Sequence, residues 1–177
     1  DNVSIRGNGN ATILKRMFDS VSAEGVITLT GRSGCKIANL QIDGNKATYT
    51  ASYNYGIHLS SASNNTITGN TCNNNYGIRL ASSSSNNTVT GNTCNNNSYG
   101  IYLSSSSNNT VTGNTCIRGT GQTSDYTSSQ YTIRLAGSSN NYNLISSNNC
   151  MGKAVEVNGG TGNSAWGNKF DDTDDLP

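Results

Sequence analysis

The sequence predicts an all-β chain, a parallel β-solenoid of six to seven coils built on one short repeat. Three observations predict it. A segment of about 22 residues recurs along most of the chain. Within each copy the apolar residues alternate at period two, the signature of half-buried strands rather than helices. Strand and corner residues also dominate, with 29 Asn, 25 Ser, 20 Thr and 20 Gly against a single Pro in 177 residues.

The repeat is plainest in the middle of the chain. Residues 55–75 read YGIHLSSASNNTITGNTCNNN, residues 76–98 read YGIRLASSSSNNTVTGNTCNNNS, and residues 99–116 read YGIYLSSSSNNTVTGNTC. The first strand of each copy is an apolar-x-apolar unit: Ile27/Leu29, Ile57/Leu59, Ile78/Leu80, Ile101/Leu103, Ile133/Leu135 and Val155/Val157. A Ser/Asn corner follows, where Asn tolerates left-handed backbone and its side chain can satisfy nearby backbone groups.

The second strand carries the segment I-x-G-N, from Ile5 to Asn8, Ile42 to Asn45 and Ile67 to Asn70. It continues from Val89 to Asn92 and Val111 to Asn114, and more loosely from Ile145 to Asn148 and Ala165 to Asn168. Stacking would align Asn70, Asn92, Asn114, Asn148 and Asn168 along one corner. Five residues after each apolar start comes Cys72, Cys94, Cys116 or Cys150, with Ala47 in an early copy and Phe170 in the last. A position that accepts Cys, Ala and Phe is a core position. One coil cannot bury enough apolar surface to offset the ordering of its own backbone, so coils must stack on one another.

The run N-N-T-[IV]-T-G-N-T-C with Y-G-I-x-L resembles the right-handed parallel β-helix repeats of the pectin-lyase-like superfamily. It is most similar to the short-coil repeats of carbohydrate-binding and sugar-hydrolase proteins and of the periplasmic NosD protein. The resemblance covers roughly residues 1–170 and implies a single-stranded right-handed parallel β-helix. It leaves function open, because the superfamily contains lyases, hydrolases, tailspikes, adhesins and proteins of no known activity. Handedness agrees with the right-handed preference of parallel crossovers. Residues 171–177 form an acidic tail, and Trp166 with Phe170 are expected to close the core before it.

Composition narrows the function classes. A formal net charge of +1 with 12% charged residues offers no electrostatic footprint for nucleic acid or an anionic membrane. No apolar run reaches the roughly 20 residues of a membrane-spanning helix, and the first residues do not read as a signal peptide. Stacked cysteines about 4.8 Å apart exceed the usual Cβ separation of a disulfide. Their spacing matches no zinc signature, and His58 is the single His, so no metal or other cofactor is expected. Cys35 lies off the column and is expected in the core. Tyr55, Tyr76, Tyr99 and Tyr131 form a further column that stabilises a corner or offers a platform to sugar rings.

Within each apolar-x-apolar strand the middle residue points outward. Coil by coil this file reads Thr28, His58, Arg79, Tyr102, Arg134 and Glu156, chemically diverse against monotonous neighbours. Insertions at Lys15 to Glu24, Lys46 to Asn54 and Ile117 to Gln130 fall just before these strands, on one side of the solenoid. His58, Arg79, Tyr102, Arg134 and Glu156 are therefore the candidate ligand-binding residues, with the arginines suited to carboxylates or phosphates and Tyr102 to a sugar ring. Glu156 is the single acid of the file, and the loop acids Asp19, Glu24 and Asp125 are coils apart, so no carboxylate pair for glycoside hydrolysis is expected.

The reading these residues favour is a non-catalytic structural or recognition module for extended polysaccharide, of the kind found in phage tails or at cell surfaces. The alternative is an acidic-polysaccharide lyase or glycoside hydrolase working on the same file. A minor alternative is ice binding by the Thr66/Thr68, Thr88/Thr90 and Thr110/Thr112 array, expected to be flanked by Gln41/Asp43 and Leu144/Ser146. The solenoid's N-terminal end has no evident cap, which points to a homo-oligomer or a larger parent protein as its cover.

Overall fold

One inward and one outward side chain in alternation, repeated at coil intervals, is resolved as stacked parallel strands. The computed structural model describes residues 1–19, 21–51, 53–73, 76–117, 131–151 and 155–169. Two sheets run the length of the solenoid. The first holds, in spatial order, β1 (Ser4–Lys15), β3 (Lys36–Asp43), β5 (Thr66–Thr68), β8 (Thr88–Thr90), β10 (Thr110–Thr112), β12 (Leu144–Ser146) and β14 (Ser164–Trp166). β6 (Thr71–Asn73) pairs the far end of β3. The second sheet stacks β2 (Glu24–Thr30), β4 (Asn54–Ser60), β7 (Tyr76–Ala81), β9 (Tyr99–Ser104), β11 (Tyr131–Ala136) and β13 (Val155–Asn158).

Every pairing is parallel, and Thr71, Thr93, Thr115, Asn149 and Lys169 continue a third, narrower strip by single bridges. Ile57, Ile78, Ile101 and Ile133 with Leu59, Leu80, Leu103 and Leu135 face Ile67, Val89, Val111 and Ile145 across a narrow, fully buried core. Cys72, Cys94, Cys116 and Cys150 fill its third side, all as free thiols. Cys35 is free and buried as well.

Two buried columns of amides bind coil to coil. Asn92 shows how completely they are satisfied. Its Nδ2 donates to Asn114 Oδ1 at 3.0 Å and to the Ile67 carbonyl at 2.9 Å, while its Oδ1 accepts from both Asn70 nitrogens at 3.0 Å. Asn114, Asn148 and Asn168 extend this column. A second column, unread from the sequence, joins Asn65, Asn87, Asn109, Asn143 and Asn163 at 3.0–3.1 Å. Each amide stands in for the neighbour that a backbone turning the corner would otherwise lack.

The early coils correct the sequence alignment. Ile37, not Ile42, pairs with Ile67, and Ile42 pairs with Cys72. Ile42 therefore opens the column that the sequence assigned to Ala47 at this coil. Position 69 turns the chain with a positive φ of 64°, and Asn39 provides the same turn at 55° without glycine. Leu40 then takes the place of Asn70 in the column. The Thr array accordingly borders Lys36 and Ala38 rather than Gln41 and Asp43. Trp166 does not close the core: it pairs with Ser146 on the outer face and is 58% exposed, while Ala165 follows Ile145 inward. Phe170 and the acidic tail lie outside the described residues.

Removing one amide from a filled column should orphan several buried groups together. Asn114→Ala is expected to lower unfolding free energy by about 3–5 kcal/mol in a urea titration. A loss below about 1 kcal/mol would mean that the column contributes little.

Candidate functional site

The outward file stands in register as the sequence reads it. Thr28 pairs with His58, His58 with Arg79, Arg79 with Tyr102, Tyr102 with Arg134 and Arg134 with Glu156. The tyrosine column runs beside it, Tyr55 against Tyr76, Tyr76 against Tyr99 and Tyr99 against Tyr131. Strict alternation would turn Tyr76 away from Arg79, three positions later. A side chain at Gly77 would run into the Gly100 carbonyl oxygen and meet Cys94 Sγ at 3.1 Å, and Ile78 is buried, so two successive positions face inward. A side chain at Gly100 would likewise run into the Thr132 carbonyl oxygen and meet Cys116 Sγ at 3.0 Å. That local break brings tyrosines and arginines onto one surface.

There they form a continuous row of rings. Ring centroids lie 5.2 Å apart for His58 and Tyr55, 5.0 Å for Tyr55 and Tyr76, 5.0 Å for Tyr76 and Tyr99, and 5.1 Å for Tyr99 and Tyr102. Arg79 donates from Nη1 to the Tyr55 hydroxyl at 2.9 Å, with its guanidinium 5.0 Å from the Tyr55 ring and 5.6 Å from that of Tyr102. Arg134 repeats the arrangement one cradle further on. Its Nη1 donates to the Tyr99 hydroxyl at 2.7 Å, and the rings of Tyr99 and Tyr131 lie 5.3 and 5.4 Å away. Its Nε is ion-paired with Glu156. Burial raises the phenol pKa of Tyr55, Tyr76 and Tyr131, so these rings stay neutral at physiological pH.

His58 departs from the exposed position expected of it. It is 5% exposed, and neither ring nitrogen has a well-formed hydrogen bond, although the Ala23 backbone stands close enough to favour its charged form slightly. Burial, and then the Arg79 charge, lower its pKa to about 4. Cover comes from the first insertion, held down by a residue the sequence reading passed over. Arg16 is fully buried and donates from Nη2 to the Tyr55 and Glu24 carbonyls at 2.7 and 3.2 Å. Asp19 then accepts from Asn54 Nδ2 at 2.9 Å and from the Ala51 amide at 3.2 Å, tying the first insertion to the second. The third insertion, apart from Ile117, lies outside the described residues, as does Asp125.

The family model described as "Periplasmic copper-binding protein (NosD)" matches residues 1–176. The chain belongs to the NosD family. That membership carries the right-handed parallel β-helix of the pectin-lyase-like superfamily, in agreement with the all-parallel stacking. No curated protein and no solved structure matches the chain.

The copper in the NosD description can be tested against these residues. Copper sites draw on imidazole, thiolate and thioether groups. The imidazole here is enclosed beside a guanidinium. Hydrogen bonding to the next sulfur in the column, together with burial, raises the Cys72 and Cys94 thiols well above their usual range, and burial lifts Cys150 to about 11. Among the described residues no three His, Cys, Asp or Glu side chains are grouped so that they could hold a metal ion. The described imidazole, thiol and carboxylate groups of this NosD-family chain do not by themselves form a copper centre of three or more ligands.

The lowered His58 pKa has a definite sign. From pH 6.5 down to about 4 the unfolded chain takes up a proton that the folded chain refuses, so stability falls as pH drops through that window and is fully present above it. In urea titrations at about pH 4.5 and pH 7, His58→Gln should show a smaller difference in midpoint than the native chain. An undiminished difference would place the titration elsewhere.

Proposed function

We propose that this chain is a non-catalytic recognition module that binds extended polysaccharide along the ring-and-arginine face of its second sheet. The observation that carries the reading is the unbroken row Tyr55, Tyr76, Tyr99 and Tyr102, spaced 5.0–5.1 Å between centroids and interleaved with Arg79 and Arg134. Tyr55 and Tyr99 are buried within this row, so it offers sugars the half-buried rings of Tyr76 and Tyr102, while the half-buried guanidinium groups beside them offer donors to hydroxyls and acidic substituents. The tied insertions form a rim at its N-terminal end.

The same geometry gives catalysis little support. Glycoside hydrolysis needs a second carboxylate about 5–9.5 Å from the first, and the file's one acid, Glu156, is already held by Arg134. A lyase needs a base that reaches its substrate, yet His58 is enclosed. The family description places its namesake in the periplasm, an oxidising compartment in which unpaired thiols are vulnerable. Burial of all five cysteines suits this chain to such a setting.

A glycan array followed by an assay for cleaved products tests the reading. Binding without reducing-end or unsaturated products is expected, and the Arg79→Ala/Arg134→Ala double variant should bind its best glycan roughly tenfold or more weakly. Wild-type binding by that variant would move the site to another face, and released products would replace recognition with catalysis.

A further inference from the structure

Arg79 and Arg134 sit in copies of one cradle. Each is the middle residue of its strand, each donates from Nη1 to the hydroxyl of a tyrosine one coil earlier, and each lies against that tyrosine's ring. They differ in what the following coil presents. Beyond Arg79 comes the Tyr102 ring, and beyond Arg134 comes the Glu156 carboxylate. Arg134 is thereby neutralised within an ion pair whose two side chains are each 21% exposed. Tyr131 stands beside the same carboxylate. Arg79 has no carboxylate partner among the described residues, and its buried Nε has no acceptor there. Its charge rests on the Tyr55 hydroxyl and on ring faces.

A guanidinium set among rings, drawn partly out of water and left without a counter-charge, has a strong demand for an oxyanion. We propose that Glu156 is an internal stand-in for an anionic group of the ligand: it occupies Arg134 and leaves Arg79 as the docking point for a carboxylate or sulfate on the bound polymer. The proposal rests on the polysaccharide reading and sharpens it to anionic polymers. Two coil steps separate the arginines, roughly 10 Å at strand spacing, so releasing Arg134 creates a second docking point in line with the first. Glu156 therefore sets how many anions the face reads.

Binding of the full chain to four polymers tests this: polygalacturonate and its methyl ester, dextran sulfate and dextran. At least one charged polymer should bind more tightly than its neutral counterpart, and the pair showing the larger difference tells carboxylate from sulfate. Arg79→Gln should weaken the charged polymer about tenfold and leave the neutral one unchanged. Glu156→Gln should strengthen the charged polymer about fivefold, the upper range for freeing a partly exposed ion pair. A gain cannot come from misfolding, and thermal unfolding of Arg79→Gln shows whether its loss does; if that variant is unfolded, Arg79→Lys takes its place, keeping the charge and losing the planar fork. Asp125→Asn should change nothing.

Unchanged or weaker anion binding by Glu156→Gln overturns the proposal, as does a gain with Asp125→Asn in its place. Equal binding of charged and neutral polymers overturns it too, while leaving polysaccharide recognition standing. If none of the four polymers binds and the glycan array is also blank, both readings fall.

Discussion

In-register stacking is the constraint on which everything else depends. Because each coil lies directly on its neighbour, any side chain meets its own equivalent one strand spacing away, and a residue type succeeds only if it can tolerate itself as a neighbour. Ile, Leu and Val do so by packing. Asn does so more specifically, since its amide carries donors and acceptors that engage an identical group on either side. The filled valences of Asn92 show the arrangement at its limit, with side chain, main chain and two neighbouring coils joined in one hydrogen-bonded column. A chain with only 32% hydrophobic residues can fold this way because the polar majority is itself stacked.

That constraint explains which features were legible. The file from Thr28 to Glu156 could be read because alternation decides which side of a strand faces out, and stacking carries the decision from coil to coil. The alignment failed at Ile42, where the letters I-x-G-N recur five residues beyond their structural place. What the corner requires is a left-handed backbone conformation, and Asn39 meets it without spelling the motif. His58 was misjudged for a different reason. Its cover is the first insertion, whose path depends on Arg16 and Asp19 and follows no period that a sequence scan could detect.

The unity of the tyrosine and arginine columns was also hidden, because it comes from a breach of alternation. Gly77 and Ile78 both face inward, where a side chain at position 77 would collide with the Gly100 carbonyl and crowd the Cys94 sulfur, whereas the equivalent Thr132 two coils on is buried beside Cys150. The core thereby arranges the outer face. The small Tyr-Gly-Ile unit does two tasks at once, relieving crowding beneath the sheet and rotating the ring into line with the arginines above. Membership of the NosD family establishes the scaffold, and the recognition we propose would work through the rings and charges of its outer face.

The near-identity of the central coils has a consequence for how such a face can change over time. Gain or loss of one central repeat keeps the kind of core and amide-column contact between coils, yet moves all later members of the outer file by one fixed step. Spacing between charges on this surface is thus inherited in discrete units. A lineage can lengthen, shorten or reorder what the face reads by unequal recombination between repeats, without having to solve the folding problem again.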